Sequence, residues 1–175
     1  MKIWLTYILS GLCFTLVKAQ QSNGPIQKNV LIIYSDDHTY FALGAAGNKR
    51  IKTPNLDKLV NQGLYCTQAH VMGGNQGAIC TPSRAMMLTG RYVNTLPGDG
   101  AIIPDSVTSM PEVLRSKGYT TFHTGKWHND KDSHHRMFSH GGNIFFGGMH
   151  FENEGGQFHP KVYSFNSDGQ YPANK

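Results

Sequence analysis

Three short stretches of this chain carry side chains suited to chemistry on an anionic ester. Asp36 and Asp37 stand side by side in Ser35-Asp36-Asp37-His38. Adjacent carboxylates are costly to hold together unless positive charge lies between them, and such oxygen donors suit Ca2+ or Mg2+. A solvated turn or a helix N-cap would use the same residues. Cys80 opens Cys80-Thr81-Pro82-Ser83-Arg84. A cysteine at a helix start gains an anion-binding setting and a depressed thiol pKa. Arg84, one turn on, can grip a tetrahedral oxyanion through two hydrogen bonds. A buried structural thiol, or a disulfide to Cys66, is the plainer alternative. Lys126 and His128 lie in Thr124-Gly125-Lys126-Trp127-His128. Lys126 can bind an oxyanion, and His128 can move a proton near neutral pH. An exposed lysine and a hydrogen-bonded structural histidine would look the same in isolation. Together, a nucleophile, an anion pocket and a metal-binding pair describe a displacement site for a sulfate or phosphate ester.

Each stretch is expected at the end of a regular element. Val30–Tyr34 is a continuous apolar, β-branched run, the pattern of a central strand buried on both faces of a parallel sheet. Asp36 and Asp37 would then lie beyond its carboxyl end, where open α/β sheets bind ligands. Residues 53–63 read as a short helix, with Thr53 as N-cap, Pro54 at N1, an apolar face of Leu56, Leu59 and Val60, and Gly63 as stop. Leu64–Ala69 reads as a strand and residues 73–77 as a glycine-rich loop. Pro82–Thr89 reads as a helix stopped by Gly90. Ser109-Met110-Pro111-Glu112 has capping-box spacing and opens a helix running to Lys117. Tyr119–His123 reads as a strand that delivers Lys126 and His128. This rhythm is α/β. After Asn129 no clear periodic element is visible. His134, His135 and His140 read as part of a polar loop, and a zinc site there is the weaker reading. The glycine- and aromatic-rich stretch around Phe145 and Phe146 suits the border of a sugar-binding cleft.

The N-terminus pairs Lys2 with an apolar run from Ile3 to Val17 and a cleavage pattern at Val17-Lys18-Ala19, which predicts a signal peptide over 1–19. The run is short for a membrane span, so no stable span is expected. Residues 20–28 form a polar linker. The protein is expected to be exported, to a periplasm or the medium. Loss of Lys2 and Lys18 lowers the formal charge from +5 to +3. With no basic run or stripe, nucleic acid is excluded as a partner. Cys66 and Cys80 are the cysteines left, too few for a disulfide scaffold.

In their order along the chain, these motifs resemble the type I, formylglycine-dependent sulfatases of the alkaline-phosphatase-like superfamily. Cys80-Thr81-Pro82-Ser83-Arg84 followed by Thr89-Gly90-Arg91 matches that family's Cys-x-Pro-Ser-Arg signature. Gly118-Tyr119-Thr120-Thr121 with Gly125-Lys126-Trp127-His128 matches its second signature. Residues 29–38 and Thr53-Pro54-Asn55-Leu56-Asp57-Lys58-Leu59 resemble its first strand and helix. The resemblance covers about Asn29 to His128. It implies an α/β sandwich with a mainly parallel central sheet, incomplete in this chain, with 29–175 as the N-terminal part of a catalytic domain. It implies that a maturation enzyme reads Pro82 and Arg84 and oxidises Cys80 to Cα-formylglycine (3-oxoalanine). The hydrated aldehyde would attack sulfur, and its second hydroxyl would later expel sulfate. Asp36, Asp37 and the modified Cys80 would meet Ca2+, with Mg2+ as the other candidate. Arg84 would hold the diol, and Lys126 and His128 would contact the sulfate and the formylglycine.

The family's remaining metal ligands, and a further His and Lys that grip sulfate, have no counterpart here; Asp168 resembles a surface segment. The activity implied is hydrolysis of an organic sulfate ester, with a sulfated small molecule or carbohydrate as substrate. The alternatives are a phosphodiesterase or phosphonate monoester hydrolase of the same superfamily, or an inactive truncated remnant. As given, the chain is expected to be poorly stable and inactive or nearly so.

Overall fold

The computed structural model describes residues 27–149, 155–156, 158–165 and 169–171. The predicted signal peptide and Asp168 lie outside the described residues. The chain divides into two compact units, Met1–Tyr34 and Ser35–Lys175.

In the first unit, Val30–Tyr34 belongs to no strand. It is also exposed, Leu31 at 84 % and Ile33 at 73 %. This corrects the expectation of a buried central strand. An apolar, β-branched run sets extended backbone, but a strand also needs neighbours for its ladder and cover for both faces. Leu64–Ala69 likewise forms no strand, and Leu64 is 92 % exposed.

The second unit is built on a three-stranded sheet, β1 (Phe122–Lys126), β2 (His140–Phe145) and β3 (Val162–Phe165). β1 and β2 are parallel, and β2 and β3 antiparallel. The sheet is therefore mixed, which fits an α/β fold. β1 begins three residues later than the spacing predicts, so Lys126 ends the strand. The β1–β2 register shifts between Thr124 and Gly125. Gly125 has φ 93 and Asn143, the residue skipped on β2, has φ 50. A side chain at 125 would be strained there, which accounts for the glycine before Lys126.

Among the described residues four α-helices accompany the sheet: α1 (Pro54–Gln62), α2 (Cys80–Thr89), α3 (Met110–Ser116) and α4 (Lys131–Met137). α1 forms as its punctuation predicts, but Leu56 and Leu59 remain exposed. α2 starts at Cys80 and ends where Gly90 turns left-handed, its N–H bonding Met86 O. α3 carries the full capping box: Ser109 N–H and hydroxyl both donate to Glu112 Oε2, and Ser109 Oγ accepts from Glu112 N–H.

α4, β2 and β3 lie after Asn129, where the sequence shows no periodic element, and correct that expectation. Asp130 caps α4 by accepting from Ser133 N–H at 2.7 Å. α4 has seven residues, too few for its apolar period to emerge. β2 hides behind glycines at 141 and 142. Gly141 meets Ile144 Cδ1 at 2.7 Å from where a Cβ would be, so a larger residue would collide with the core.

The main core joins Ala85 and Leu88 of α2, Leu96, Ile103, Val107, Trp127, Met137, Phe138, Ile144, Phe146 and Tyr163. Phe145 and Phe146 are buried, and Phe146 belongs to the core cluster; part of the glycine- and aromatic-rich stretch after them lies outside the described residues. His134 is wholly buried, packed edge-on against Trp127 and tilted over Phe138. It is a core residue of a helix, which corrects the polar-loop reading.

Candidate active site

Lys126 and His128 flank Trp127, and this alternation builds one side of the site. Trp127 is 2 % exposed in the core, its indole N–H donating to Asp130 O. Anchoring the middle residue turns its two neighbours away from the core. His128 adopts φ 69, which ends the strand direction directly after Lys126.

α2 supplies the opposite side. Its first residue is Cys80, half-buried and a free thiol; Cys66 is also free and exposed, so no disulfide joins them. Arg84 is one turn further and buried. One guanidinium nitrogen donates to Lys126 O at 2.6 Å, tying α2 to the end of β1. The other reaches Asp36 Oδ1 at 3.3 Å. Lys126 Nζ bonds the second oxygen of the same carboxylate at 2.7 Å. Asp36 thus bridges two cations from different elements. Its carboxyl is raised by burial, but hydrogen bonds and charge from Lys126 and then Arg84 outweigh this and hold it below the usual range.

His128 is pushed down to about 4, first by burial and then by the charges of Lys126 and Arg84, with Asp36 opposing. It is therefore neutral at pH 7 and able to accept a proton. Two cations on one carboxylate leave the cluster of Arg84, Lys126 and Asp36 net positive, and burial of Arg84 strengthens its field. An oxyanion beside the Cys80 turn would be favoured.

The structure therefore brings Asp36, Arg84 and Lys126 into direct contact and sets His128 within their electrostatic reach. Cys80 joins through α2, one turn before Arg84. Asp37 is exposed at φ 56 beside Asp36 and makes no side-chain bond to these groups among the described residues. The carboxylate pair is the right kind of donor for a hard cation but short in number, since six to eight oxygens are usual for Ca2+. Among the described residues no group of three possible ligands occurs. Asn129, buried behind His128, escaped the sequence reading because nothing in its residue type marks a buried donor.

The Sulfatase family profile matches residues 28–168. Human steryl-sulfatase is 32 % identical over 155 residues, covering 78 % of this chain and 26 % of that protein. Human arylsulfatase A is 40 % identical over 108 residues, 57 % of this chain and 20 % of that protein. A sulfatase described as ulvan-active, from Formosa agariphila, is 34 % identical over 113 residues, 63 % of this chain and 21 % of that protein. The chain belongs to the sulfatase family. It spans about a quarter or less of the length of these curated relatives. Among the described residues no helix is long and apolar enough to cross a membrane.

Proposed function

We propose that the protein of which this chain forms part hydrolyses an organic sulfate ester, with a sulfated carbohydrate as the favoured substrate class. The observation that carries the reading is the shared carboxylate: Asp36 holds Arg84 and Lys126 at 3.3 and 2.7 Å, one helical turn from Cys80. Similarity to an ulvan-active sulfatase supports a carbohydrate leaving group. The whole catalytic domain would be an alkaline-phosphatase-like sandwich, with 29–175 its N-terminal part after a signal peptide (1–19) and linker (20–28). Export to a periplasm or the medium follows from that leader.

When a maturation enzyme has converted Cys80 to formylglycine, the hydrated aldehyde supplies an oxygen nucleophile at the start of α2. Arg84 orients that turn and neutralises charge growing on the ester oxygens. Lys126 binds a sulfate oxygen; to do so it exchanges its bond to Asp36 for one to the substrate. His128, neutral and adjacent, takes or returns a proton between the nucleophile and the leaving alcohol. Asp36 and Asp37 would give two carboxylate oxygens to a divalent cation, Ca2+ or Mg2+, which supplies Lewis acidity toward the ester. Among the described residues these two carboxylates fall short of a full ligand set for such an ion.

The full-length enzyme, co-expressed with a formylglycine-generating enzyme, tests the reading. Turnover of 4-nitrophenyl sulfate well above that of a 4-nitrophenyl phosphodiester is expected, together with aldehyde in place of thiol at Cys80 by mass spectrometry. Preference for the phosphodiester would move the protein to the other branch of the superfamily. An unmodified thiol with no turnover would leave a remnant.

A further inference from the structure

Asn129 follows His128 directly, and its side chain is turned inward at 6 % exposure. Its Nδ2 faces two carbonyls from two other segments, donating to Gly100 O at 2.5 Å and to Thr81 O at 3.2 Å. Thr81 is the neighbour of Cys80 in the first turn of α2. Gly100 ends a 3-10 turn, Pro97–Gly100, that packs against the start of α2. The approach is close: a Cβ at Gly100 would stand 2.6 Å from Ala85 Cβ and 3.5 Å from Pro82 Cα. The main chain repeats the link one residue on, Asp130 N–H donating to Ala101 O at 3.0 Å and Asp130 Oδ2 accepting from Ile103 N–H at 2.9 Å.

One carboxamide therefore joins the loop bearing Lys126 and His128 to the turn bearing Cys80. The carbonyls in the first turn of a helix already accept from the following turn, so α2 does not need this donor in order to form. Among the described residues its buried Oδ1 meets no hydrogen-bond donor. A buried acceptor left unmet is unfavourable, and an apolar side chain of similar volume would avoid that penalty. Stability alone therefore argues against an asparagine here. A fixed distance between two halves of a reaction site argues for it, because small misplacements of reacting groups cost large factors in rate.

We propose that Asn129 is a positioning residue, holding the Cys80 turn of α2 in register with Lys126 and His128. This rests on the sulfatase reading above. The test compares Asn129→Leu and Asn129→Asp with the wild type in the matured full-length enzyme. Two measurements are made: steady-state kinetics on 4-nitrophenyl sulfate, and amide hydrogen exchange. For Asn129→Leu, kcat should fall by about 10- to 100-fold with KM changed by less than about threefold. Exchange should quicken at Ser83, Arg84 and Ala85 while α3 keeps its protection. Asn129→Asp has the wild-type shape and carries the test if the leucine variant does not fold. Its carboxyl can donate only when protonated, so its kcat relative to wild type should rise as pH is lowered. Wild-type kcat in either variant overturns the proposal, and so does exchange that quickens equally in every element, which would mark a general packing role. A wild-type enzyme without sulfatase turnover overturns the functional reading instead, and exchange at residues 83–85 then decides alone whether Asn129 clamps the turn.

Discussion

Lowering the pH should unfold this chain through its buried histidines, and the steepness of that transition follows from where they sit. His134 is wholly buried among the rings of Trp127, Phe138, Phe146, Phe165 and Tyr171. Its Nδ1 lies 2.8 Å from Tyr171 Oη and its Nε2 lies 3.2 Å from His123 Nδ1. Burial pushes His134 down to about 3, with the charges of His123 and His135 adding to it. Burial, then Arg84, pushes His123 to about 4, a backbone bond to Lys126 opposing. Both start from 6.5 in the unfolded chain. Between 6.5 and about 4 the unfolded state binds two protons that the folded state refuses. The stability these rings contribute is thus fully present above pH 6.5 and is lost as pH falls toward 4. Each fully titrating histidine gives a slope of about 1.4 kcal/mol per pH unit, so the pair adds about 3 kcal/mol per unit near pH 5, and His128, also pushed from 6.5 down to about 4, adds a third contribution of the same sign. A domain stable by about 5–15 kcal/mol has little reserve against that. The depressed carboxyls of Asp36 and Glu112 add their own loss only in a lower window, as pH falls below their ordinary values of 3.8 and 4.5. Urea titrations followed by tryptophan fluorescence at pH 7.5, 6.5, 5.5 and 4.5 read the slope directly. His134→Phe should lose about 1–2 kcal/mol at pH 7.5 with its hydrogen bonds and should show roughly two thirds of the wild-type slope, since His123 and His128 still titrate. Stability unchanged between pH 6.5 and 4.5, or equal slopes in the two proteins, would refute the reasoning.

Arg136 joins α3 and α4 through Glu112 Oε1 at 2.8 Å and also reaches Asp105 and the carbonyls of Ile103 and Pro104. Arg136→Met should cost about 2–4 kcal/mol by urea denaturation, chiefly through the unpaired Glu112. Gly100→Ala places a methyl 2.6 Å from Ala85 at φ 80. It should cost about 2–3 kcal/mol, and Ala85→Gly in the same chain should recover part of the lost Tm; no recovery would place the strain elsewhere. Asp36→Asn leaves Arg84 and Lys126 across a neutral amide. The matured full-length enzyme should lose at least about 100-fold in kcat/KM on 4-nitrophenyl sulfate, and a loss below about threefold would remove Asp36 from the site.

Short-range chemistry was legible in the residues themselves. The capping box at Ser109 and Glu112, Pro54 at the start of α1 and Gly90 at the end of α2 all depend on neighbours within one turn. The motif residues were legible too, because Cys80 and Arg84 at four-residue spacing on a helix, and Lys126 and His128 about a buried tryptophan, have geometry that local backbone dictates. Burial and pairing were not legible. Val30–Tyr34 has the composition of a central strand yet stays exposed, because a ladder is made by partners and not by propensity. Leu56 and Leu59 form an apolar face that nothing in α1 itself can cover. His134 looked like a polar loop residue, and only the convergence of α4, β1 and the aromatic rings turned it into core. The bond from Lys126 to Asp36 spans 90 residues, and the bond from Asn129 to Thr81 spans 48. Sequence determined which groups are available and which turn each one rides on. Tertiary structure decided which carboxylate meets which cation, because that depends on long-range packing that no local pattern encodes.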